Sequence, residues 1–421
     1  MMITGAELFV KALKAEQVDT LFAYPGGQAI DLFNALYGEQ DIDVILPRHE
    51  QGLVHAADGY ARSTGKVGVC LVTSGPGATN LVTGIATANY DSVPLVCFTG
   101  QVPTGLIGND AFQEVDIVGI TRSICKYAVT VRKREELAAV IRKAFLISRT
   151  GKPGVVVVDL PKDIQREYGS DDYPEEIEIR GYKPKLSVHP GQLKKALETL
   201  NHAKKPVFLV GGGVNISHAH SEMLKLAEMT GVPVVTTIMG KGAIPTTHDL
   251  YIGNLGIHGS YAANTAISHC DVLFSIGTRF NDRITGKTGH FATHAAIIHI
   301  DIDPASISRN IEVDIPIVAD AKTALLALLE KAQKLDTEEW LEQIRQWKSQ
   351  YPLSMKTEGL TPEKVIRAIN HTFDNAIIAT DVGQNQLWAT QFLELSEKKQ
   401  MLTSGGLGTM GYGFPAAIGA Q

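Results

Sequence analysis

The sequence predicts an α/β protein built from doubly wound, mainly parallel sheets. Unbroken apolar runs such as "VGVCLV", "PLVCFTG" and "GVVVVDLP" suit strands buried on both faces, and they alternate with helical stretches from the first residues onward. The length, 421 residues, is two to three times that of an ordinary domain and predicts two or three such units.

Taken in order, the chain opens with the helix "GAELFVKALKAEQV", the short strand "TLFAYP", the helix "IDLFNALYG" and the strand "DVILP". A helix led by Glu50 follows, then the strand "VGVCLVTS" and the helix "ATNLVTGIATANYD". Composition changes at "REYGSDDYPEEIEIRGYKPKLSVHP", which is polar, charged and proline-bearing, so residues 1–168 read as a first domain and 169–189 as a linker. A second αβ series runs from "GQLKKALETLNHAKKPVFLVGGG" through "VPVVTT", "DVLFSIGT", "AIIHIDID" and "IPIVAD" to the helix "AKTALLALLEKAQK", giving a central domain over 190–335. After a polar, helical linker at 336–360, residues 361–421 open a third αβ unit that is too short to complete a domain of the usual size. The predicted architecture is thus three doubly wound domains, the third incomplete.

Composition narrows the function. Hydrophobic residues make up 44% and charged residues 20%, and the net charge of −6 comes without a long basic cluster, which argues against a nucleic-acid surface. The N-terminus lacks a basic stretch followed by an apolar one, and nowhere do about 18 apolar residues run on, so the reading is a cytosolic protein with no membrane span. Cys70, Cys97, Cys125 and Cys270 lie far apart, with neither zinc nor disulfide spacing, and read as reduced core residues.

Three glycine-rich turns follow strands: "YPGG" (Tyr24 to Gly27), "TSGPGATN" (Thr73 to Asn80) and "VGGG" (Val210 to Gly213). Such turns also occur without a ligand, yet ligands of open α/β sheets collect at strand carboxyl ends. "VGGG" is not the G-x-G-x-x-G fingerprint, so a dehydrogenase site is unsupported, although Asp301 and Asp303 in "IIHIDIDP" are of the kind that accept ribose hydroxyls. "GTRFNDRITGK" puts Arg279 and Arg283 at a strand end, where guanidinium forks grip a phosphate or a carboxylate, though a surface salt-bridge loop would look alike. "GNDAFQE" sets an aromatic ring and an amide on a loop after another strand. Glu50 stands at the head of a helix of small packing residues, where burying a carboxylate is expensive.

Together "YPGG", "RHEQG", "TSGPGATNLVTG", "GQVPTGLIGNDAFQE", "GKPGVVVVDLPKDIQ", "RFNDRITGK", "HIDIDP", "TDVGQNQLWA" and "GGLGTMGYGFPAAIGAQ" resemble the catalytic large subunit of acetohydroxyacid (acetolactate) synthase, over residues 3 to 421 and in that family's order. The resemblance implies a thiamine-diphosphate enzyme of branched-chain amino-acid synthesis that decarboxylates pyruvate and condenses the two-carbon unit with pyruvate or 2-ketobutyrate. It implies Mg2+ and a structural FAD, a homodimer or homotetramer with the active site between subunits, and a small regulatory subunit. It assigns Glu50, buried, to the pyrimidine ring nitrogen, and Gly27, Phe112 and Gln113 to the reacting carbons. Arg283 matches the residue that reads the incoming keto acid. Val382, Gly383 and Gln384 match the diphosphate loop, Gly408 the acceptor for the 4′-amino group, and Met410 the residue that holds the cofactor bent. For FAD the matching positions are Gly212, Gly213, Thr237, Met239, His258, Gly277, Arg279, Asp301, Ile302 and Asp320.

Departures set further expectations. The family's glycine–aspartate–glycine magnesium motif and acceptor-selecting tryptophan would fall past Gln421, so the chain as written is expected to bind FAD better than thiamine diphosphate and to be inactive alone. Gln28, Asn281 and Asn385 replace commoner residues without removing a catalytic role. Pyruvate oxidase, catabolic acetolactate synthase and a noncatalytic flavin-binding protein are the competing readings.

Overall fold

The computed structural model describes residues 1–184, 187–355 and 358–421. The chain folds into two compact units, one of Met1–Pro184 together with Leu402–Gln421, the other of Lys185–Met401.

The first unit contains β1 (Met2–Thr4), β2 (Thr20–Ala23), β3 (Asp43–Ile45), β4 (Gly68–Val72), β5 (Leu95–Gln101), β6 (Tyr127–Thr130), β7 (Val155–Pro161) and β8 (Tyr168–Ser170). Six of these form one parallel sheet in the order β3-β2-β4-β5-β7-β6. The valine run of β7 explains itself here: Val156 and Val158 join the core on one face, with Phe9, Leu21 and Phe98, while Val155 and Val157 join the core on the other, with Leu53, Cys70 and Cys97. Cys70, Cys97 and Cys270 are buried, Cys125 is half-buried, and all four are free thiols, as read from their spacing. β3 lies at the sheet edge, so its apolar Val44 and Ile45 are exposed.

The second unit contains β9 (Pro206–Val210), β10 (Val234–Thr236), β11 (Tyr251–Asn254), β12 (Val272–Ile276), β13 (Ala296–Asp301) and β14 (Ile315–Val318), again one parallel sheet, ordered β11-β10-β9-β12-β13-β14. The order reverses between β9 and β12, which is the arrangement of a dinucleotide-binding fold with its crevice at that point. β15 (Ile377–Ala379) and β16 (Gln400–Leu402) make a separate two-stranded pair.

Three boundaries differ from the sequence reading. The stretch taken as the first linker is tied to the first unit: β8 pairs antiparallel with β1, and Arg134 donates to the carbonyls of Ile3, Thr4, Glu167 and Ser170. The second linker holds the Glu338–Gln350 helix, whose Trp340 and Ile344, one turn apart, are buried in the second core, with Trp340 Nε1 donating to Pro206 O at 3.1 Å. Residues 361–421 do not stay together. Those up to Met401 belong to the second unit, whereas the last twenty pack on the first. Glycines allow that packing: a Cβ on Gly59 would lie 2.1 Å from Ala416 O, and one on Gly419 would lie 1.8 Å from Ala56 O.

Candidate functional site

In the first sheet the strand order reverses between β2 and β4, and both strands end in glycine-rich turns. Thr73 joins the turns. A Cβ on Gly26 would stand 2.6 Å from the Thr73 side chain, and Thr73 Oγ1 accepts from Gln28 N at 3.1 Å. Gly27 has open space where a side chain would be, and its carbonyl accepts from Lys162 Nζ at 2.6 Å.

Glu50 heads the Glu50–Thr64 helix, where the unpaired N–H groups favour a carboxylate. Its Oε2 accepts from Asn80 Nδ2 at 2.9 Å, and its Oε1 lies 3.5 Å from where a Cβ on Gly77 would be. The carboxyl is half-buried in this chain, not buried as expected, because a helix start at the open end of the sheet has solvent on one side. The "GNDAFQE" loop meets the same turn: a Cβ on Gly75 would lie 2.7 Å from Gln113 O. Glu114 braces the loop from within, accepting from Gly108 N and from Ala111 N. Phe112 projects from it, 84% exposed. Glu50, Gly27 and Gln113 thus converge on one glycine turn. Gly408 and Met410 are in this unit too, Gly408 with φ +72° and Met410 78% exposed.

The other assigned residues belong to the second unit. At the β9/β12 reversal the backbones of Gly211, Gly213 and Gly277 are in contact. A Cβ on Gly277, whose φ is +64°, would lie 2.6 Å from Gly213 Cα. Gly212 sits beside Met239, and Thr237 Oγ1 accepts from Gly240 N at 3.1 Å. Asp301 ends β13, nearly buried, with Oδ1 accepting from Asp303 N at 2.8 Å, and Ile302 follows it half-buried. Asp320 caps the Ala321–Leu329 helix. His258 O accepts from Gln391 Nε2, and Arg279 O from Asn310 Nδ2. A smooth glycine floor at the crevice with a carboxylate at the neighbouring strand end fits a flavin dinucleotide.

Arg283 departs from expectation. It lies in the short Asp282–Thr285 helix rather than at a strand end, its side chain 69% exposed and 3.8 Å from Asp282. Val382, Gly383 and Gln384 lead into the Gln384–Phe392 helix, with Gly383 at φ +129°. Among the described residues no group of three or more His, Cys, Asp or Glu is placed to hold a metal ion, and no helix is long and apolar enough to cross a membrane. Asn80, the last residue of the "TSGPGATN" turn, has no role in the motif resemblance. The signal was an amide one helical turn past a glycine turn, but only folding shows that it faces Glu50.

The fold and these strand-end turns define a thiamine-dependent enzyme. Models of the thiamine pyrophosphate enzymes match residues 3–120 (N-terminal TPP binding domain), 193–328 (central domain) and 381–421 (C-terminal TPP binding domain). The chain is 50% identical to the probable acetolactate synthase large subunit of Methanocaldococcus jannaschii, over 99% of this chain and 73% of that protein. It is 46% identical to the acetolactate synthase isozyme 3 large subunit of Escherichia coli, over 100% of this chain and 75% of that protein. With the Corynebacterium glutamicum large subunit the identity is 45%, over 100% and 68%. The chain belongs to the acetolactate synthase large subunits.

Proposed function

We propose that Glu50, Gly27, Phe112, Gln113 and Arg283 carry the acetolactate synthase reaction in this chain, pyruvate being decarboxylated and joined to a second 2-keto acid, pyruvate or 2-ketobutyrate. The observation that carries this reading is the convergence of Glu50, the Gly27 turn and the Gln113 backbone on the Gly75–Asn80 turn. Thiamine diphosphate, when bound, supplies the carbanion chemistry. Asn80 occupies Oε2 of Glu50 and so leaves Oε1 to the ligand; with thiamine diphosphate bound, that oxygen would share a proton with the pyrimidine ring nitrogen. Open space at Gly27 leaves room for a keto acid, and Phe112 presents an exposed ring on the loop that meets the same glycine turn. Arg283 offers a permanent charge and a planar fork to the second substrate's carboxylate.

Gly408 and Met410 would hold the pyrimidine end of thiamine diphosphate, and Val382, Gly383 and Gln384 would lie by its diphosphate. Gly212, Gly213, Thr237, Met239, His258, Gly277, Arg279, Asp301, Ile302 and Asp320 bind FAD, for which the glycine floor at the β9/β12 reversal is the supporting feature. The enzyme works in the cytosol as a homodimer or homotetramer with a small regulatory subunit, as the relatives' designation of large subunit suggests.

Acetolactate formation from pyruvate with thiamine diphosphate, Mg2+ and FAD, measured in this chain and in one continued through the family's glycine–aspartate–glycine motif, tests the site, and the Glu50 variant is made in whichever is active. Glu50→Gln should lower kcat by about 100-fold or more while bound flavin is unchanged. Full activity in that variant removes Glu50 from the mechanism, and oxygen uptake with pyruvate would instead favour an oxidase.

A further inference from the structure

Gln101, at the end of β5 and nearly buried, has no role in the assignment above, yet its one amide makes three hydrogen bonds. Oε1 accepts from Val102 N at 2.8 Å, and Nε2 donates to Val115 O at 3.0 Å and to Asp159 Oδ2 at 3.1 Å. Val102 and Val115 are the two ends of the loop that carries Phe112 and Gln113. One side chain therefore closes that loop at both ends.

Asp159 holds the clamp. It breaks the valine run of β7, stands in register with Thr99 of β5 and Thr130 of β6, and takes the hydroxyl of each, at 2.7 and 3.1 Å. Burial raises its carboxyl to about 6 against these three donors, with Asp116 adding to the rise. A buried acid that ends a run of four valines at the catalytic end of a strand, with three donors gathered on it, points to a purpose beyond the core. The loop needs such a hold: Asp110 and Gln113 have φ of +50° and +58°, a conformation that non-glycine residues keep only when their surroundings impose it.

We propose that Gln101, held by Asp159, is a positioning residue that clamps both ends of the 102–115 loop and so sets where Phe112 and Gln113 stand. This rests on the roles given to those two residues above.

The test compares hydrogen exchange with kinetics in the full chain loaded with its cofactors. In Gln101→Leu, amides of 102–115 should exchange about tenfold faster or more, those of β4 and β7 should be unchanged, and kcat/KM for pyruvate should fall by about 10- to 100-fold. Asp159→Asn, which keeps a carbonyl for Gln101 Nε2, should keep the loop protected. Should Gln101→Leu fail to fold, Gln101→Glu preserves the shape and the acceptor for Val102 N but loses both Nε2 bonds, and it should loosen the same loop. Unchanged loop exchange, or faster exchange spread evenly over the first unit, overturns the clamp. A loosened loop with wild-type kinetics supports the clamp and overturns the roles of Phe112 and Gln113 instead.

Discussion

The Tyr412 hydroxyl donates to Asp58 Oδ1 at 2.6 Å, joining residues 354 positions apart. Arg62 Nε reaches the same carboxylate at 2.7 Å, while its Nη2 meets Asp91 at 3.0 Å and its Nη1 donates to Thr403 O. Asp91 Oδ2 also accepts from Gly405 N. The last twenty residues are thus docked on the first unit through a buried ionic cluster. Removing the cation strands two buried carboxylates, so Arg62→Met should lose about 3–5 kcal/mol. Tyr412→Phe, which removes one bond to a charged acceptor, should lose about 1.5–3 kcal/mol. Urea unfolding of the two variants checks both values and their order.

Gly59 meets the backbone of the Gly413–Ala420 helix with no room to spare. Gly59→Ala, normally favourable inside a helix, should therefore destabilise by about 1–3 kcal/mol through overpacking. A thermal midpoint at or above that of the parent would show the two helices free to separate.

Lys241 is buried and donates to the last-turn carbonyls of Ala389 and Thr390, and burial lowers its pKa to about 7 despite Glu394 nearby. The unfolded chain holds this proton up to the ordinary lysine value, so between the two values it binds more protons than the fold. Stability should accordingly rise with pH from about 7 towards 10.5, and Lys241→Met should flatten that rise. Thermal midpoints at about pH 7 and about pH 9 measure it.

Asp159 acts with the opposite sign. Its folded pKa of about 6 lies above the unfolded value, so the fold binds more protons between about 4 and 6 and loses stability as pH rises through that window. Asp159→Asn should remove this loss and raise the midpoint at neutral pH. An unaltered pH profile would mean that the three donors already offset the burial.

If the proposed flavin site is right, Asp301→Ala should weaken FAD by about 10- to 100-fold, the worth of a hydrogen bond to a charged acceptor, without changing the far-ultraviolet circular dichroism. Flavin retained after gel filtration at dilute protein is the readout. Undiminished retention would move the ribose contact elsewhere.

The class of fold, both sheets and nearly all their strands are legible in the residues, because a strand covered on both faces must be apolar at every position, as Val155 to Val158 are. The glycine turns are legible for a related reason: a carboxyl-end turn that brings backbones together excludes side chains, and Gly211, Gly213 and Gly277 mark the place. Motif resemblance picked out Glu50, but not Asn80, which holds it, nor Gln101, whose three bonds reach residues up to 58 positions away. The partition of the chain was equally hidden. Residues 361–421 read as the start of one domain, and only close packing of Gly59 and Gly419, with Arg62 compensating Asp58 and Asp91, places the last twenty of them on the first unit. Local sequence determines what each segment can be, since periodicity and turn chemistry act over a few residues. Which segments meet is decided by burial and charge pairing between distant parts of the chain, and those exist only once it has folded.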